Sequence, residues 1–539
     1  MPVDLTEWPS DAAEGYRAAG YWTGATYPEF LAELVQRHGE RTAVLDDRMR
    51  LSFRELDEQS AAVARGLHAL GIRAGERILV QLPNRAEFLV LWFALVRIGA
   101  VPVHTQPGHR RSEITHLAEL SGASGYVIPD RHDRFDHRRL AAEVRAECPA
   151  LRHVIVLGDP GGEPGFIAFS ELAGLGAGTV LPERAANAGE IAVLLLSGGT
   201  TGKPKLIPRT HDDYRYNGVA AAAVCELGED SVYLATLPIS FNYTWNCPGV
   251  LGTLGAGGTV VLAGNPDPGY CFELIERHRV TITAINPQLA PVWLDEVEHT
   301  SADLSSLRVL QIGSARLADD TARQVIERFE PAVLQQVFGM AEGLLNLTRL
   351  GDDRETLATT QGKPISVADE IRVVDPEDNE VAAGEPGELL TRGPYTLRGY
   401  YRAEEHNAKN FTPDGFYRTG DLVRRTESGH LIVVGRVKDQ INRGGEKIAA
   451  TEVEGHLLAH PGIRSVALVG APDTDLGERS VAFVVAQHGD APNRLELTKF
   501  LEQRGIAAYK APDRVEHIET MPLTPLGKMD KKALAERLA

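Results

Sequence analysis

Short apolar runs alternate with segments of helical period along most of this chain, and that alternation narrows the fold more than any other feature. Arg77–Leu82 is followed by the helix-periodic Arg85–Ile98 and then by Ala100–His104; further on, Ser231–Leu237, Thr259–Ala263, Thr281–Asn286 and Arg308–Ile312 repeat the theme. Short apolar runs bounded by turn residues read as strands and the periodic stretches between them as helices, so an α/β architecture is expected. From about Asp369 the texture changes to strands divided by Gly/Pro turns. Glu370–Val374, Gly387–Thr391 and Leu431–Val434 are the candidates for a small β-rich subdomain. After Arg436 a polar, glycine-containing stretch leads into a helix (Glu452–Ala459), two strands (Ser465–Gly470 and Ser480–Ala486), a second helix (Leu495–Arg504) and a last strand (Arg514–Ile518). This final segment, of about a hundred residues, has the size of a separate domain and reads as a lid. Ala/Gly-rich stretches such as Ala173–Gly178 read as surface loops.

At 539 residues the chain is too long for one core, and 43% hydrophobic with 24% charged residues is ordinary globular composition. A net charge of −18 argues against nucleic acid or an anionic membrane as a bulk partner. Cys148, Cys225, Cys247 and Cys271 are far apart with no C-x-x-C pair, which is the usage of reduced thiols rather than of a disulfide frame or zinc site. The first residues lack the basic and apolar regions of an export signal, and no apolar run approaches the ~18 residues of a membrane span. A cytoplasmic protein with no nucleic-acid or membrane partner is the expectation.

The densest chemistry lies at residues 196–205, Leu-Ser-Gly-Gly-Thr-Thr-Gly-Lys-Pro-Lys, directly after the apolar run Ile191–Leu196. A strand thus delivers Ser197, Gly198, Gly199, Thr200, Thr201 and Gly202, with Lys203 and Lys205, to one loop. Glycines let backbone N–H groups close on phosphate oxygens, while the hydroxyls add donors and the lysines add charge; this suits ATP. A Walker A loop fits badly, because Ser197 replaces its first Gly and Pro204 its metal-binding hydroxyl, and a flexible surface turn is the bland alternative. Phe338-Gly339-Met340-Ala341-Glu342 follows the run Val333–Val337 and sets a carboxylate just past a strand. There it is either a ligand of phosphate-bound Mg²⁺ or a helix-start residue. In Tyr417-Arg418-Thr419-Gly420-Asp421, at the end of a turn-rich stretch, Asp421 suits a ribose diol or an Asx turn. The stretch from Gly435 to Lys447 sits at the change of domain, where a solvated linker is the bland reading. Pro522-Leu523-Thr524-Pro525-Leu526-Gly527-Lys528 puts one lysine on a stiffened loop, a place where lysines are ordinarily inert.

Taken together and in this order, these segments resemble the adenylate-forming superfamily of acyl- and aryl-CoA synthetases, luciferases and peptide-synthetase adenylation domains, from about Tyr27 to Leu534. Residues 335–343, residues 439–447 and Asn242-Tyr243 are most similar to the stand-alone aryl-acid AMP ligases of the 2,3-dihydroxybenzoate and salicylate type, which load siderophore or peptide-antibiotic assembly lines. The resemblance implies an N-terminal adenylation domain over 1–437 and a mobile α+β C-terminal lid over 438–539. It also implies ATP and Mg²⁺, with Ser197, Gly198, Gly199, Thr200, Thr201, Gly202 and Lys205 at the phosphates and Glu342 on the metal. Asp421 would clamp the ribose, Arg436 would reach ribose or phosphate, and Lys528 would bridge the carboxylate and α-phosphate. Gly313, Ser314 and Ala315 match the adenine-side loop, and Phe338, Gly339, Met340 and Ala341 complete the nucleotide set. Lys438 would be the hinge, and Gly444 and Gly445 would approach a pantetheine channel once the lid has turned.

By the same resemblance the acid is read by Phe241, Asn242, Tyr243, Cys247, Gly313, Gly339 and Leu345. Domains for α-amino acids carry an Asp where this chain has Asn242, so an α-amino acid is disfavoured and a neutral amide suits an ortho substituent such as a 2-hydroxyl. Cys247 and Leu345 stand where dihydroxybenzoate ligases resemble one another in having Ser and Val; the fuller, less polar wall points to salicylate, although each is also an ordinary core residue. Phe241 replaces the usual His and leaves 2,3-dihydroxybenzoate, 6-methylsalicylate, anthranilate and 3-hydroxypicolinate in play. No phosphopantetheine attachment segment follows the lid, so a separate phosphopantetheinylated aryl carrier protein is the expected acceptor, with CoA as the alternative. A non-catalytic ligand-binding protein on this fold would be expected to lack Lys528, Glu342 or Asp421, and all three are present.

Overall fold

The computed structural model describes residues 5–182, 186–197, 204–443, 446–473, 476–489, 491–524 and 528–538. Among them the apolar runs become strands of two large sheets. The nine-stranded sheet has the spatial order Lys363–Pro364, Leu345–Leu347, Val333–Gly339, Val309–Gly313, Ile282–Ile285, Val232–Ala235, Thr259–Leu262, Thr42–Leu45, Arg50–Ser52. Its six strands from Val333–Gly339 to Thr42–Leu45 are parallel, and antiparallel pairing is confined to its margins. The seven-stranded sheet runs Leu206–Thr210, Ile191–Leu196, Val101–His104, Arg77–Val80, Gly125–Pro129, His153–Leu157, Phe166–Ala168, parallel except for its first strand. The helix Ala86–Arg97 is apolar around its whole circumference and belongs to a core that joins residues of both sheets, as a helix sandwiched between layers must.

A four-stranded antiparallel sheet follows, made of Glu370–Val374, Pro386–Arg392, Tyr417–Arg425 and Leu431–Arg436. The C-terminal residues build a smaller sheet of their own: Glu446–Ala449, Gln440–Arg443, Gly477–Ala486 and Ile463–Asp473, with Arg514–His517 beside Gly477–Ala486. The helices Ala450–Leu458 and Arg494–Gln503 share a core with it through Val453, Leu457, Leu497 and Leu501. Ala450–Leu458 also packs on Leu431–Arg436, and an Arg504 guanidinium donates to Asp320 Oδ2 at 3.0 Å, so the smaller unit sits against the larger one.

Three local readings are corrected. Residues after Arg436 form a short 3-10 turn, Val437–Asp439, and then a strand hairpin rather than a linker; one isoleucine per strand suffices, because Ile441 and Ile448 stand opposite each other and are both buried. Asp421 lies within a strand, paired directly with Arg436 just before a register shift at Leu422/Val423, and not at the end of a turn. The stretch Ala173–Gly178 lies at the surface except for buried Gly176, but its first half is not a loop: Leu172–Leu175 is helical, and Leu172, just ahead of the stretch, is fully buried against the helix Phe53–Ala69. The small residues there serve close approach, since a Cβ on Gly66 would fall 2.1 Å from the Leu172 carbonyl oxygen.

Gln361 and Gly362 stitch the nine-stranded sheet to the four-stranded one. The Gln361 N–H donates to the Leu431 carbonyl at 2.8 Å, and the Leu431 N–H to the Gly362 carbonyl at 2.8 Å. Gly362 has φ +81°, and a Cβ there would lie 2.0 Å from the Leu347 carbonyl carbon. Gly362→Ala is therefore expected to destabilise the protein by roughly 2–4 kcal/mol in urea titration, from left-handed strain plus a clash with backbone. An unchanged midpoint would mean that the seam gives way at little cost.

Candidate active site

Parallel strands all end on one side, and the crevice beyond their carboxyl ends is where open α/β sheets take ligands. Both large sheets end this way on one cavity of ≈ 550 Å³. Leu237, Asn286 and Gln288, Ser314 and Ala315, and Gly339 to Glu342 reach it at or just past the ends of Val232–Ala235, Ile282–Ile285, Val309–Gly313 and Val333–Gly339. From the other sheet come Gln106, past Val101–His104, and Ser197, past Ile191–Leu196. Ser314 holds φ +73°, a conformation that costs a serine about 1 kcal/mol and that concentrates at functional sites.

One end of the cavity is charged. The four-stranded sheet supplies Asp421 and Arg436, the turn after it Lys438, and the C-terminal unit Lys528. Cross-strand register brings Arg436 to Asp421, and its Nε donates to Oδ1 at 2.9 Å. Glu342 accepts at Oε1 from the Tyr400 hydroxyl at 2.7 Å, and that hydroxyl is 2.8 Å from the Tyr417 hydroxyl. Burial raises the carboxyls of Glu342 and Asp421 above the usual carboxylate range; the Tyr400 bond opposes this at Glu342, and the charges of Arg436 and Lys528 oppose it at both. Burial lowers the Lys528 ammonium, Arg436 adds to that, and Asp421 and Glu342 oppose it. Lys438 is lowered first by burial and then by Arg436. Ion pairing thus only partly offsets what these four groups lose in leaving water: an incoming anion would favour the two ammonium groups, and a cation or hydroxyl donors the two carboxylates.

The glycine-rich loop is pinched at its base, where the Ser197 N–H donates to the Lys205 carbonyl at 2.9 Å and the Lys205 N–H to Ser197 Oγ at 3.0 Å. Lys205 Nζ stands 5.8 Å from the centre of the ring of Tyr400, the residue whose hydroxyl donates to Glu342. Beneath lies a fully buried ion pair. Arg209 Nε donates to Asp213 Oδ2 at 2.7 Å, and its two terminal nitrogens donate to the carbonyls of Ala341 at 2.9 Å and Tyr395 at 3.1 Å. Burial alone would lower the Arg209 pKa, but the facing Asp213 carboxylate more than reverses it, so the guanidinium stays charged.

The other end is neutral. The Tyr214 hydroxyl donates to Asn242 Oδ1 at 2.8 Å, and Asn242 Nδ2 donates to Cys247 Sγ at 3.5 Å. Burial pushes the Cys247 thiol up to about 12, so it remains an uncharged part of the wall formed with Phe241, Val337 and Leu345. The Tyr243 hydroxyl donates to the Ile285 carbonyl at 3.3 Å, which turns its ring along the cavity toward Gly313.

The structure therefore brings Ser197, Lys205, Phe241, Asn242, Tyr243, Cys247, Ser314, Ala315, Gly339, Met340, Ala341, Glu342, Leu345, Asp421, Arg436, Lys438 and Lys528 to one cavity. Phe338 is not on it, because its side chain packs with Leu344, Val373 and Leu389 under the four-stranded sheet. Gly313 stands behind Tyr243 and Val337. Gly198, Gly199, Thr200, Thr201 and Gly202, like Gly444 and Gly445, lie outside the described residues. Sequence reasoning passed over Arg209, Tyr214, Tyr400 and Gln106. For Arg209 a signal existed: an Asp four residues on, across a helix start, is ion-pair spacing.

Two family models cover most of the chain: AMP-binding enzyme matches residues 31–401, and AMP-binding enzyme C-terminal domain matches residues 452–528. The chain is 51% identical to the 2,3-dihydroxybenzoate-AMP ligase of Bacillus subtilis, over 100% of this chain and 98% of that protein. It is 49% identical to the salicyl-AMP ligase / salicyl-S-ArCP synthetase of Mycobacterium tuberculosis, over 98% of this chain and 94% of that one. Among solved structures, apo MbtA of Mycobacterium smegmatis superposes with a TM-score of 0.77 at 46% identity, covering 99% of both chains.

Removing Asp213 leaves the buried guanidinium uncompensated. Asp213→Ala is expected to cost about 3–5 kcal/mol in denaturant titration, whereas Arg354→Ala, which breaks an exposed pair with Glu330, should cost about 0–1 kcal/mol. Similar values for the two would show that Arg209 finds other compensation.

Proposed function

The chain belongs to the AMP-binding enzyme family, and from that premise we propose that it activates an ortho-substituted, salicylate-like aryl acid with ATP and then passes the aryl group to the phosphopantetheine thiol of a separate aryl carrier protein. The pathway context is siderophore or peptide-antibiotic biosynthesis, the setting of its named relatives' type of ligase. One observation carries the reading: a single cavity has buried cations and carboxylates at one end and a neutral amide walled by Phe241, Cys247 and Leu345 at the other.

In the first half-reaction a carboxylate oxygen of the acid bonds to the α-phosphorus of ATP in line, the bond to the bridging oxygen breaks, and pyrophosphate leaves. The barrier is alignment plus crowding of negative charge, and fixed cations relieve the second. Lys528 is placed to bridge the attacking carboxylate and the α-phosphate. Lys205 and the loop it closes hold the phosphates. Asp421 has Oδ1 taken by Arg436 and offers Oδ2 to the ribose. Glu342 fits a magnesium ion carried on the phosphates: it is a buried carboxylate on the cavity wall, and among the described residues no group of three or more His, Cys, Asp or Glu would cage a metal by itself. Such an ion would neutralise phosphate charge. In the second half-reaction the carrier thiol loses its proton, its sulfur bonds to the adenylate carbonyl carbon, and AMP leaves. Lys438 serves as the hinge that withdraws Lys528 and brings Gly444 and Gly445 toward the thiol.

Asn242 in place of an acid disfavours an α-ammonium group, and the uncharged Cys247 and Leu345 wall favours salicylate over 2,3-dihydroxybenzoate. ATP–pyrophosphate exchange is expected to be led by salicylate or 6-methylsalicylate in a panel with 2,3-dihydroxybenzoate, anthranilate, 3-hydroxypicolinate and amino acids. Silence across the panel would sink the assignment. Lys528→Ala should lower exchange by roughly 10²–10³-fold, the loss typical of a donor aimed at developing charge. Lys438→Pro should slow thioester transfer to a carrier far more than exchange; equal losses would place the hinge elsewhere. Thioester formation on CoA instead of a carrier would reassign the acceptor.

A further inference from the structure

We propose that Gln106 is a specificity residue whose amide nitrogen donates a hydrogen bond to an acceptor atom carried on the ring of the acid, such as an ether or carbonyl oxygen. This rests on the aryl-acid reading above and narrows its substrate class. Gln106 is 4% exposed, yet it lies on the cavity wall, just past the strand Val101–His104. Its backbone is fixed: the carbonyl accepts from Gln81 Nε2 at 2.9 Å and from the His109 N–H at 3.0 Å, and its N–H donates to His109 Nδ1 at 3.2 Å.

The side chain is fixed at one end only. Ser240 Oγ, itself on a residue 3% exposed, donates to Gln106 Oε1 at 2.9 Å. The Ser240 carbonyl is engaged by His104 Nδ1 at 3.2 Å, which sets the segment that leads into Phe241 and Asn242. With Oε1 occupied, the amide nitrogen faces away from Ser240 and has no hydrogen-bond partner among the described residues.

Asn286 and Gln288, also on the cavity wall, likewise have no partner for their amide nitrogens among the described residues, but two other amides are matched. Asn242 is matched at both ends, by Tyr214 and Cys247, and Gln81 Nε2 is shared among carbonyls. The nitrogen is not sealed in the protein interior but opens on the cavity that Leu237, Phe241 and Leu345 also line, so it is a donor presented to whatever fills that cavity. A ligand supplies the acceptor, and a site built to hydrogen-bond its ligand rejects an analogue that lacks the partner atom. Ser240 acts as the positioning residue: by donating, it decides that the nitrogen, not the oxygen, faces the acid. The ring is thus read twice, by Asn242 and by Gln106 from a separate strand end.

The test compares matched acids by ATP–pyrophosphate exchange with the full chain: methoxy- against ethyl-salicylates at each ring position. The expected result is that at least one acceptor-bearing acid exceeds its match by about tenfold in kcat/KM and that Gln106→Leu brings that ratio to about one. Ser240→Ala, which keeps Gln106 but frees the amide to turn, should reduce the ratio part of the way, and this second variant guards against a Gln106→Leu protein that does not fold. A ratio near one in the unaltered protein, or an unchanged ratio in Gln106→Leu, would overturn the inference by showing that water satisfies the nitrogen. A preference for amino-substituted over acceptor-bearing acids would overturn it by reversing the amide. Exchange without acceptor preference removes this inference alone, whereas no exchange with any acid removes the function on which it rests.

Discussion

A guanidinium buried away from the protein surface sets the geometry of this site. Arg209 is wholly buried, and the groups that satisfy it come from three parts of the chain: Asp213 and Asn217 on the helix that follows it, Ala341 beside Glu342, and Tyr395 between the second and third strands of the four-stranded sheet. In a medium of low polarity each of these partners is costly to lose, so the pieces are held in one arrangement. The same guanidinium lies 4.7 Å from the centre of the Tyr214 ring, whose hydroxyl orients Asn242. The charged end and the neutral end of the cavity therefore rest on one support.

Around that support the cavity is electrostatically unfinished. Lys205, Arg436, Lys438 and Lys528 outnumber Glu342 and Asp421, and burial works against the ionised form of both carboxylates and of Lys438 and Lys528. A polyphosphate both completes the charge balance and replaces lost hydration, which is how preorganised sites obtain large effects without reorganising at the moment of reaction. Lys528 arrives from the C-terminal unit, so the balance holds only while that unit is seated on the larger one.

The parallel strands were legible because strands covered on both faces need little but apolar residues, and Ile282–Ile285 or Val309–Gly313 advertise that directly. Glu342 and Lys528 were legible as members of ordered motifs. Leu172 was not, because composition cannot show that Gly66 lies opposite to receive it. Gln440–Arg443 was hidden because a single buried isoleucine defines the strand. Gln106 and Arg209 were hidden more deeply. Their decisive partners, Ser240 and Ala341, are 134 and 132 residues away, and no local pattern encodes a contact of that separation.

The convergence of strand ends on one cavity has a consequence for how such a protein changes over time. The ladders, the central helix and the Arg209 cluster make the frame, while Gln106 and Asn242 are side chains hung at its openings, whose side-chain bonds go to Ser240, Tyr214 and Cys247 rather than to a strand ladder. A substitution at one of these openings alters what the cavity recognises and leaves the frame's own contacts as they were. Taste for the ring and competence for phosphate chemistry can thus evolve on separate clocks within one polypeptide.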